Sequence, residues 1–285
     1  MEVSTSTILT NGVNMPTIGY GVYQIDPAEA ERCVLDALET GYRMVDTAQG
    51  YHNEEGVGAA VAKSGLKREE VFLVSKIWIS NYGEERAAAS IDESLRKLRT
   101  DYIDLMLLHQ PFCDRYGAYR ALEAALKSGK VRAIGVSNFF ADHFIDLASN
   151  VEIPPMVNQM ETHAFNQQKT LRKYLDEFNC KLMSWGPLAE GRNGFFTNPV
   201  LESVGQAHGK SVAQVGLRFL LQSDVIIIPK SVHKERMAQN LDILDFALTD
   251  EEMERVRAMD EAKSLFFDHH EGETTKMFMG LRSLV

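Results

Sequence analysis

Tyr42 to Glu54 reads YRMVDTAQGYHNE, and its internal order decides how the rest of the chain is read. Tyr42 to Val45 have the character of a short buried strand, and Asp46 stands where that strand leaves the core. Four residues separate Asp46 from Tyr51. Glu54 then opens EEGVGAAVAKSG, whose small and apolar residues recur at helical spacing. Strand, loop and helix follow in direct succession, an order that lets a carboxylate and a phenol face one cavity. Taken alone, the same residues also suit a helix-side cap and a loop tyrosine packed on its neighbour.

Outward from this stretch the unit repeats. Ile18 to Tyr23 reads as a preceding strand, followed by a helix that Asp26-Pro27 starts and Gly41 stops after Thr40. Further strands are expected at Val71 to Lys76, Ile103 to Leu108, Val131 to Ser137, Met156 to Met160, Lys181 to Trp185 and Val225 to Pro229. That makes eight. Helical runs lie between them at Gly83 to Leu98, Tyr116 to Lys127, Ala141 to Ala148, Gln167 to Phe178 and Ser211 to Leu221. Near-continuous apolar strands such as DLMLLH and VIIIPK are what a parallel sheet produces when helices cover its outer face. Each crossover must then be right-handed. The fold class expected is α/β, a closed (β/α)8 TIM barrel rather than an open doubly wound sheet. Gly19 and Gly21 lack the third glycine of a dinucleotide-binding Rossmann turn. Asn11-Gly12 signals a two-residue hairpin that plugs one end. Lys234 to Asn240 and the capping box Thr249 to Glu252 add further helices. The tail from Ser264 to Val285 has no place in the repeat and is expected over the active-site mouth.

The 285 residues are 45% apolar and 25% charged, with no composition break, so one domain over residues 1–285 is expected. A net charge of −10 argues against a nucleic-acid surface, which needs clustered Lys and Arg. Cys33, Cys113 and Cys180 are odd in number, far apart and without CxxC spacing, which fits neither a disulfide framework nor a zinc site. The start, MEVSTSTILTNG, lacks the basic and apolar pattern of an export signal, and no apolar run reaches the ~18 residues of a membrane span. A soluble cytoplasmic protein with no membrane or nucleic-acid partner is the expectation. No apolar helix stripe stands out, which favours a monomer.

Residues at the C-terminal ends of barrel strands converge on the active site. Here those positions hold Asp46, Lys76, His109, Ser137-Asn138, Gln159, Trp185 and Lys230. Singly, each has an innocent explanation as a cap or a snorkelling side chain. Jointly, an acid, a cation and an imidazole on three successive strands sit within reach of one another and of Tyr51.

At these residues the chain resembles the aldo-keto reductase family, in the manner of its prokaryotic diketogluconate and methylglyoxal reductases. DTAQGYHNEEGVG, LVSKIW, IDLMLLHQP, IGVSNF, VNQME, SWGPLAEGR and IPKSVHKERMAQN are each similar to a family motif, in the family's order. The resemblance implies a catalytic tetrad of Asp46, Tyr51, Lys76 and His109. It implies NADPH/NADP+ as cofactor, with Ser137, Asn138 and Gln159 holding the carboxamide and Trp185 stacking on the nicotinamide. Gly21, Gly186 and Leu188 belong to the same expected cofactor set. Lys230, Ser231, Arg236 and Asn240 are implied at the adenosine 2′-phosphate and adenine. Tyr23, Trp78 and Phe112 fall near strand ends and, with His109, are expected around a small carbonyl substrate, while Phe266-Phe267 on the tail suits ordinary packing more readily than closure of that pocket. The chain departs from the family at Tyr23, where many members have Trp, and at Gln239, where many have Glu. Trp185 stands where vertebrate members usually have Tyr.

The chemistry follows from what carbonyl reduction needs. Hydride arriving at a carbonyl carbon leaves negative charge on oxygen, and a positioned proton donor lowers the barrier. Tyr51 is the expected donor, with Lys76 lowering the phenol's pKa, Asp46 fixing Lys76, and His109 orienting the carbonyl oxygen. A glycoside hydrolase needs two carboxylates facing each other across the mouth, whereas strands four and seven end in His109 and Trp185. A metal-dependent hydrolase needs several ligands converging, and only Asp46 and His109 qualify. A nicotinamide-sensing binding protein on the same fold remains as the alternative.

Overall fold

The structure is a computed structural model and describes residues 3–284. Met1, Glu2 and Val285, the last residue of the expected tail, lie outside the described residues. β1 (Ser6–Ile8) and β2 (Asn14–Pro16) pair antiparallel, with Ile8 opposite Asn14. The turn between them differs from the expected two-residue type. Leu9 N–H donates to Val13 O and Gly12 N–H to Leu9 O, both at 2.9 Å, which leaves three residues, Thr10, Asn11 and Gly12, in the connection. Only Gly12 has positive φ, +86°, whereas a two-residue type I′ turn needs it at both central positions. Asn11 instead uses its side chain, donating from Nδ2 to Arg132 O at 2.8 Å. Leu9 and Met15 are buried, so the hairpin covers the end at which the barrel strands begin.

The barrel units then run β3 (Tyr20–Gly21), α1 (Pro27–Thr40), β4 (Met44–Asp46), α2 (Glu54–Lys63), β5 (Phe72–Ile77), α3 (Glu84–Leu98), β6 (Leu105–Leu108) and α4 (Arg115–Lys127). They continue β7 (Ile134–Ser137), α5 (Ala141–Ala148), β8 (Val157–Glu161), α6 (Lys169–Glu177), β9 (Lys181–Trp185), α7 (Pro199–His208), α8 (Val212–Gln222) and β10 (Ile226–Ile227). Three helices follow, α9 (Lys234–Leu241), α10 (Asp250–Arg257) and α11 (Gly272–Gly280). Neither α7 nor α11 is among the helices expected from periodicity.

β3 to β10 form one eight-stranded parallel sheet in chain order. The sheet closes on itself. Gly19 N–H donates to Ile227 O at 2.8 Å, Ile227 N–H to Thr17 O at 3.0 Å, and Gly21 N–H to Pro229 O at 3.2 Å. Closure leaves no free sheet edge to be managed. The strands carry buried residues throughout β4 to β8, as a sheet covered on both faces requires.

Helix boundaries follow local chemistry. Asp26 accepts from Ala28 N–H at 2.9 Å at the start of α1, and Gly41 takes the left-handed conformation at its end, φ +119°. Ser211 and Thr249 each complete a capping box with the residue three positions on. No helix among the described residues is long and apolar enough to cross a membrane.

The helix layer is closely packed where α2 meets the end of α3. A Cβ on Gly58 would lie 2.6 Å from both Lys97 O and the Leu98 carbonyl carbon, and those backbone atoms cannot step aside as a side-chain tip can. Gly58→Ala is therefore expected to destabilise the fold by about 1 to 3 kcal/mol, the usual range for overpacking, despite alanine's better helix propensity. Urea unfolding of the variant against wild type measures this. A gain in stability would mean that the two helices separate freely.

Candidate active site

β4 and β5 are neighbours, so Asp46 at the end of one strand and Lys76 on the next are brought side by side at the barrel's C-terminal mouth. Lys76 Nζ donates to Asp46 Oδ1 at 2.6 Å, to Thr47 O at 2.9 Å and to the Tyr51 oxygen at 3.4 Å. Gln159 arrives from β8 and donates from Nε2 to Asp46 Oδ2 at 2.8 Å. Lys76 is 0% exposed. Burial alone pushes the lysine down and the carboxyl up, and the attraction of each for the other opposes the shift. Nζ thus faces three oxygens, the number an ammonium's three N–H bonds can serve, with Asp46 at ion-pair distance. The pair is therefore read as ionised.

The loop bearing Tyr51 is fixed by side chains that reach backbone. Gln49 Oε1 accepts from Trp78 N–H and Asn81 Nδ2, both at 2.9 Å, while its Nε2 donates to Ser90 O and Ser94 Oγ on α3. Asn53 donates to Val22 O at 2.9 Å and accepts from Thr47 Oγ1 at 2.7 Å. Tyr51 thus stands with its oxygen at Lys76 and its ring between Tyr23, 5.0 Å between centroids, and His109, 5.5 Å.

The Tyr51 phenol does not have the lowered pKa expected of it. Burial pushes it well above its ordinary value, and the Asp46 carboxylate and Tyr23 add to the rise. Burial is the main reason, and the Lys76 ammonium lies closer to Asp46, at 2.6 Å, than to Tyr51, at 3.4 Å. His109 moves the opposite way, well below its ordinary value, through burial first and the Lys76 charge second. It is a neutral imidazole at neutral pH. Its Nδ1 is buried without a hydrogen-bond partner, which leaves Nε2 as the nitrogen available to a ligand. Lys76 supplies a hydrogen to the Tyr51 oxygen, so the phenol's own proton points elsewhere.

The next strand ends extend the site. Asn138 takes φ +64° and donates from Nδ2 to His109 O at 3.0 Å and to Ser137 Oγ at 3.2 Å. Ser137 Oγ donates to Gln159 O at 3.0 Å. Trp185 Nε1–H donates to Asn138 Oδ1 at 2.9 Å. Gly186, at φ +61°, follows the half-buried indole, and the Phe266 ring lies 3.8 Å from where its Cβ would stand, in van der Waals contact. Leu188, also half-buried, follows in the same loop. Gly21 lies in the barrel seam, with the Ile228 carbonyl oxygen 2.9 Å from where its Cβ would be.

Trp78 packs edge-on to His109 at 5.0 Å, and Phe112 lies against the tail. Phe278 of α11 contacts both, and Trp78 Nε1–H donates to Leu281 O at 3.3 Å. The tail therefore lies over the mouth, as expected. Phe266 and Phe267 pack on Trp185 at 5.0 and 6.3 Å. Near the end of β10, Lys230 and Arg236 are exposed, and neither has an ion-pair partner among the described residues. Ser231 is buried and turns back on His233, while Asn240 is buried on α9. Among the described residues no group of three or more His, Cys, Asp or Glu gathers as a metal-ligand set.

A family profile described as the aldo/keto reductase family matches residues 9–261. The chain belongs to the aldo/keto reductase family. It is 46% identical over 253 residues to a glyoxal reductase of Bacillus subtilis, covering 88% of this chain and 91% of that one. An aldo-keto reductase from a deep-sea metagenome library superposes with a TM-score of 0.91 at 38% identity, covering 93% and 99% of the two chains. The Bombyx mori aldo-keto reductase, solved in complex with NADP, gives a TM-score of 0.87 at 31% identity over 94% and 96%. The family is one of oxidoreductases that act on carbonyls, and the eight-stranded barrel with its strand-end site is the fold expected for it.

Two features of this aldo/keto reductase site escaped sequence reading. Gln159 supports Asp46 directly, across the barrel, and His269 in the tail is buried at 3% exposure with Phe112 and Phe278 stacked near it at 5.9 and 5.6 Å. Burial holds the His269 imidazole down to about 4, helped by His143 and His270 and opposed by Asp268 and Glu161. An unfolded histidine takes up its proton near its ordinary value of about 6.5, whereas the folded one waits until about 4. Stability is thus lost as pH falls through this window, by about 3 kcal/mol from this group. His269→Phe is expected to remove that part of the acid sensitivity. Urea unfolding of both proteins at pH 7 and pH 4.5 tests it, and equal losses in the two would clear His269.

Proposed function

We propose that the protein reduces aldehydes and ketones to alcohols with NADPH, Tyr51 serving as the proton donor. The observation that carries this reading is the buried chain from Asp46 through Lys76 to the Tyr51 oxygen, at 2.6 and 3.4 Å, with His109 against the Tyr51 ring. When bound, NADPH supplies the hydride that reaches the carbonyl carbon. The residues present suit that cofactor. Trp185 offers a partly exposed aromatic ring, and Lys230 and Arg236, exposed and without an ion-pair partner among the described residues, offer cations to a phosphate.

His109 Nε2 holds the carbonyl oxygen beside Tyr51. As negative charge develops on that oxygen, the phenol gives up its proton to it, and the alcohol is complete. The charge left on the Tyr51 oxygen faces the Lys76 ammonium, which Asp46 and Thr47 O keep in place. A phenol with a raised pKa stays protonated through the neutral range and is always loaded for donation. Ser137, Asn138 and Gln159 form the polar edge at which a carboxamide would lie.

Two substitutions separate the parts of this reading. Tyr51→Phe is expected to keep fold and NADPH affinity but to lose carbonyl reduction by about 10² to 10⁴-fold, the usual worth of a positioned general acid. Loss of reduced-nicotinamide absorbance with glyoxal follows this, and near-normal turnover would take Tyr51 out of the role. Arg236→Ala is expected to raise the dissociation constant for NADPH about 10 to 150-fold, as loss of one charged hydrogen bond does, with little change for NADH. Quenching of Trp78 and Trp185 fluorescence reports both cofactors. Equal losses for the two would mean that Arg236 does not read the 2′-phosphate.

A further inference from the structure

Glu161 ends β8 two residues beyond Gln159 and is 4% exposed. Three donors converge on its carboxylate. Ser264 Oγ donates to Oε2 at 2.5 Å, Leu265 N–H to Oε1 at 2.8 Å, and His163 Nε2 lies 3.0 Å from Oε1. His163 Nδ1 already accepts from Phe165 N–H, so its proton is on Nε2 and points at Glu161. Ser264 Oγ in turn accepts from Phe266 N–H at 3.0 Å and Phe267 N–H at 3.1 Å. One buried carboxylate therefore fixes four consecutive residues at the start of the tail.

What those residues hold is Trp185. Phe266 meets the indole edge-on at 5.0 Å, and Arg192 braces Phe266 from the loop after β9, with its guanidinium 4.2 Å from that ring and Nη1 donating to Leu265 O. Trp185 passes the constraint on through its hydrogen bond to Asn138, which donates to the His109 carbonyl.

We propose that Glu161 is a positioning residue for the reaction: acting through Ser264, it sets Phe266 and Phe267 against Trp185 and so fixes the aromatic wall that cofactor and carbonyl meet. This rests on the reading of Trp185 as that wall. An alanine at position 161 leaves three donors without an acceptor, His163 buried and Ser264 and Leu265 half-buried, and releases the tail start. A glutamine keeps one oxygen for Leu265 and His163, but its amide N–H finds both lone pairs of the Ser264 oxygen taken by Phe266 and Phe267 N–H, so the Ser264 link is lost.

Amide hydrogen exchange of the free protein, with no cofactor added, reads the relay directly. In Glu161→Ala and Ser264→Ala, exchange at Phe266 and Phe267 is expected to quicken about 10-fold or more while the barrel strands are unchanged. The KM for glyoxal and the dissociation constant for NADPH should rise by about 10-fold in step. Glu161→Gln, which keeps the acceptor for Leu265 and loses the one for Ser264, should fall between wild type and Glu161→Ala. Unchanged tail exchange and KM in both alanine variants would overturn the proposal, as would a loss spread evenly over barrel and tail. Should Glu161→Ala fail to fold, Ser264→Ala, which keeps Glu161 and His163, decides alone. Wild type that does not reduce glyoxal or any other carbonyl would sink the proposed reaction, while tail exchange would still judge the relay.

Discussion

The ion pair between Lys76 and Asp46 is the constraint on which the site depends. Taking two charges out of water costs several kcal/mol each, and attraction repays that only where geometry and hydrogen bonding are complete. Here they are complete because the sheet closes. β4 and β5 supply the pair itself, the chain just after β4 supplies the Thr47 carbonyl, and β8 supplies Gln159 from across the barrel. Removing either partner would strand a buried charge, at about 3 to 5 kcal/mol. Apolar residues could fill the same space without that risk, so the pair's presence is better explained by chemistry than by stability.

The mobile parts of a barrel are its loops, and this protein ties down the two that matter with buried polar side chains. Gln49 and Asn53 hold the Tyr51 loop to α3 and to the turn after β3. Glu161 holds the start of the tail. In each case a side chain does for irregular backbone what a strand ladder does for regular backbone: it pairs donors that would otherwise be buried alone. The aromatic cluster of Phe112, Phe266, Phe267, His269 and Phe278 then packs over the mouth on a fixed base. Acid weakens this cluster because a proton on His269 has no water to meet it.

Much of this was legible before any coordinates. Eight apolar strands separated by helical runs, each bounded by caps and glycines, leave few architectures other than a closed barrel. The ends of those strands gather at one mouth of the barrel, so Asp46, Lys76, His109, Ser137, Asn138, Gln159 and Trp185 could be picked out by place as a candidate site. The hairpin turn was misjudged by one residue because Asn-Gly favours two turn types, and only the backbone angle at Asn11 tells them apart. Helix α7 was missed because Asn198-Pro199 reads as a loop as readily as it reads as a cap and first turn. The Tyr51 pKa was expected to fall because the sequence places a lysine near it; how strongly that lysine is already engaged by Asp46 is a matter of ångströms.

The sequence by itself therefore determined the order of elements, the barrel and the identity of the polar strand ends, since those depend on periodicity and local capping within a few residues. Tertiary structure alone decided which of those groups touch. Gln159 reaches Asp46 over 113 residues of chain, Ser264 reaches Glu161 over 103, and His269 reaches Gln110 over 159. No local pattern encodes such pairs, because they come from where closure and packing happen to bring side chains, and with them come the charge states on which the chemistry rests.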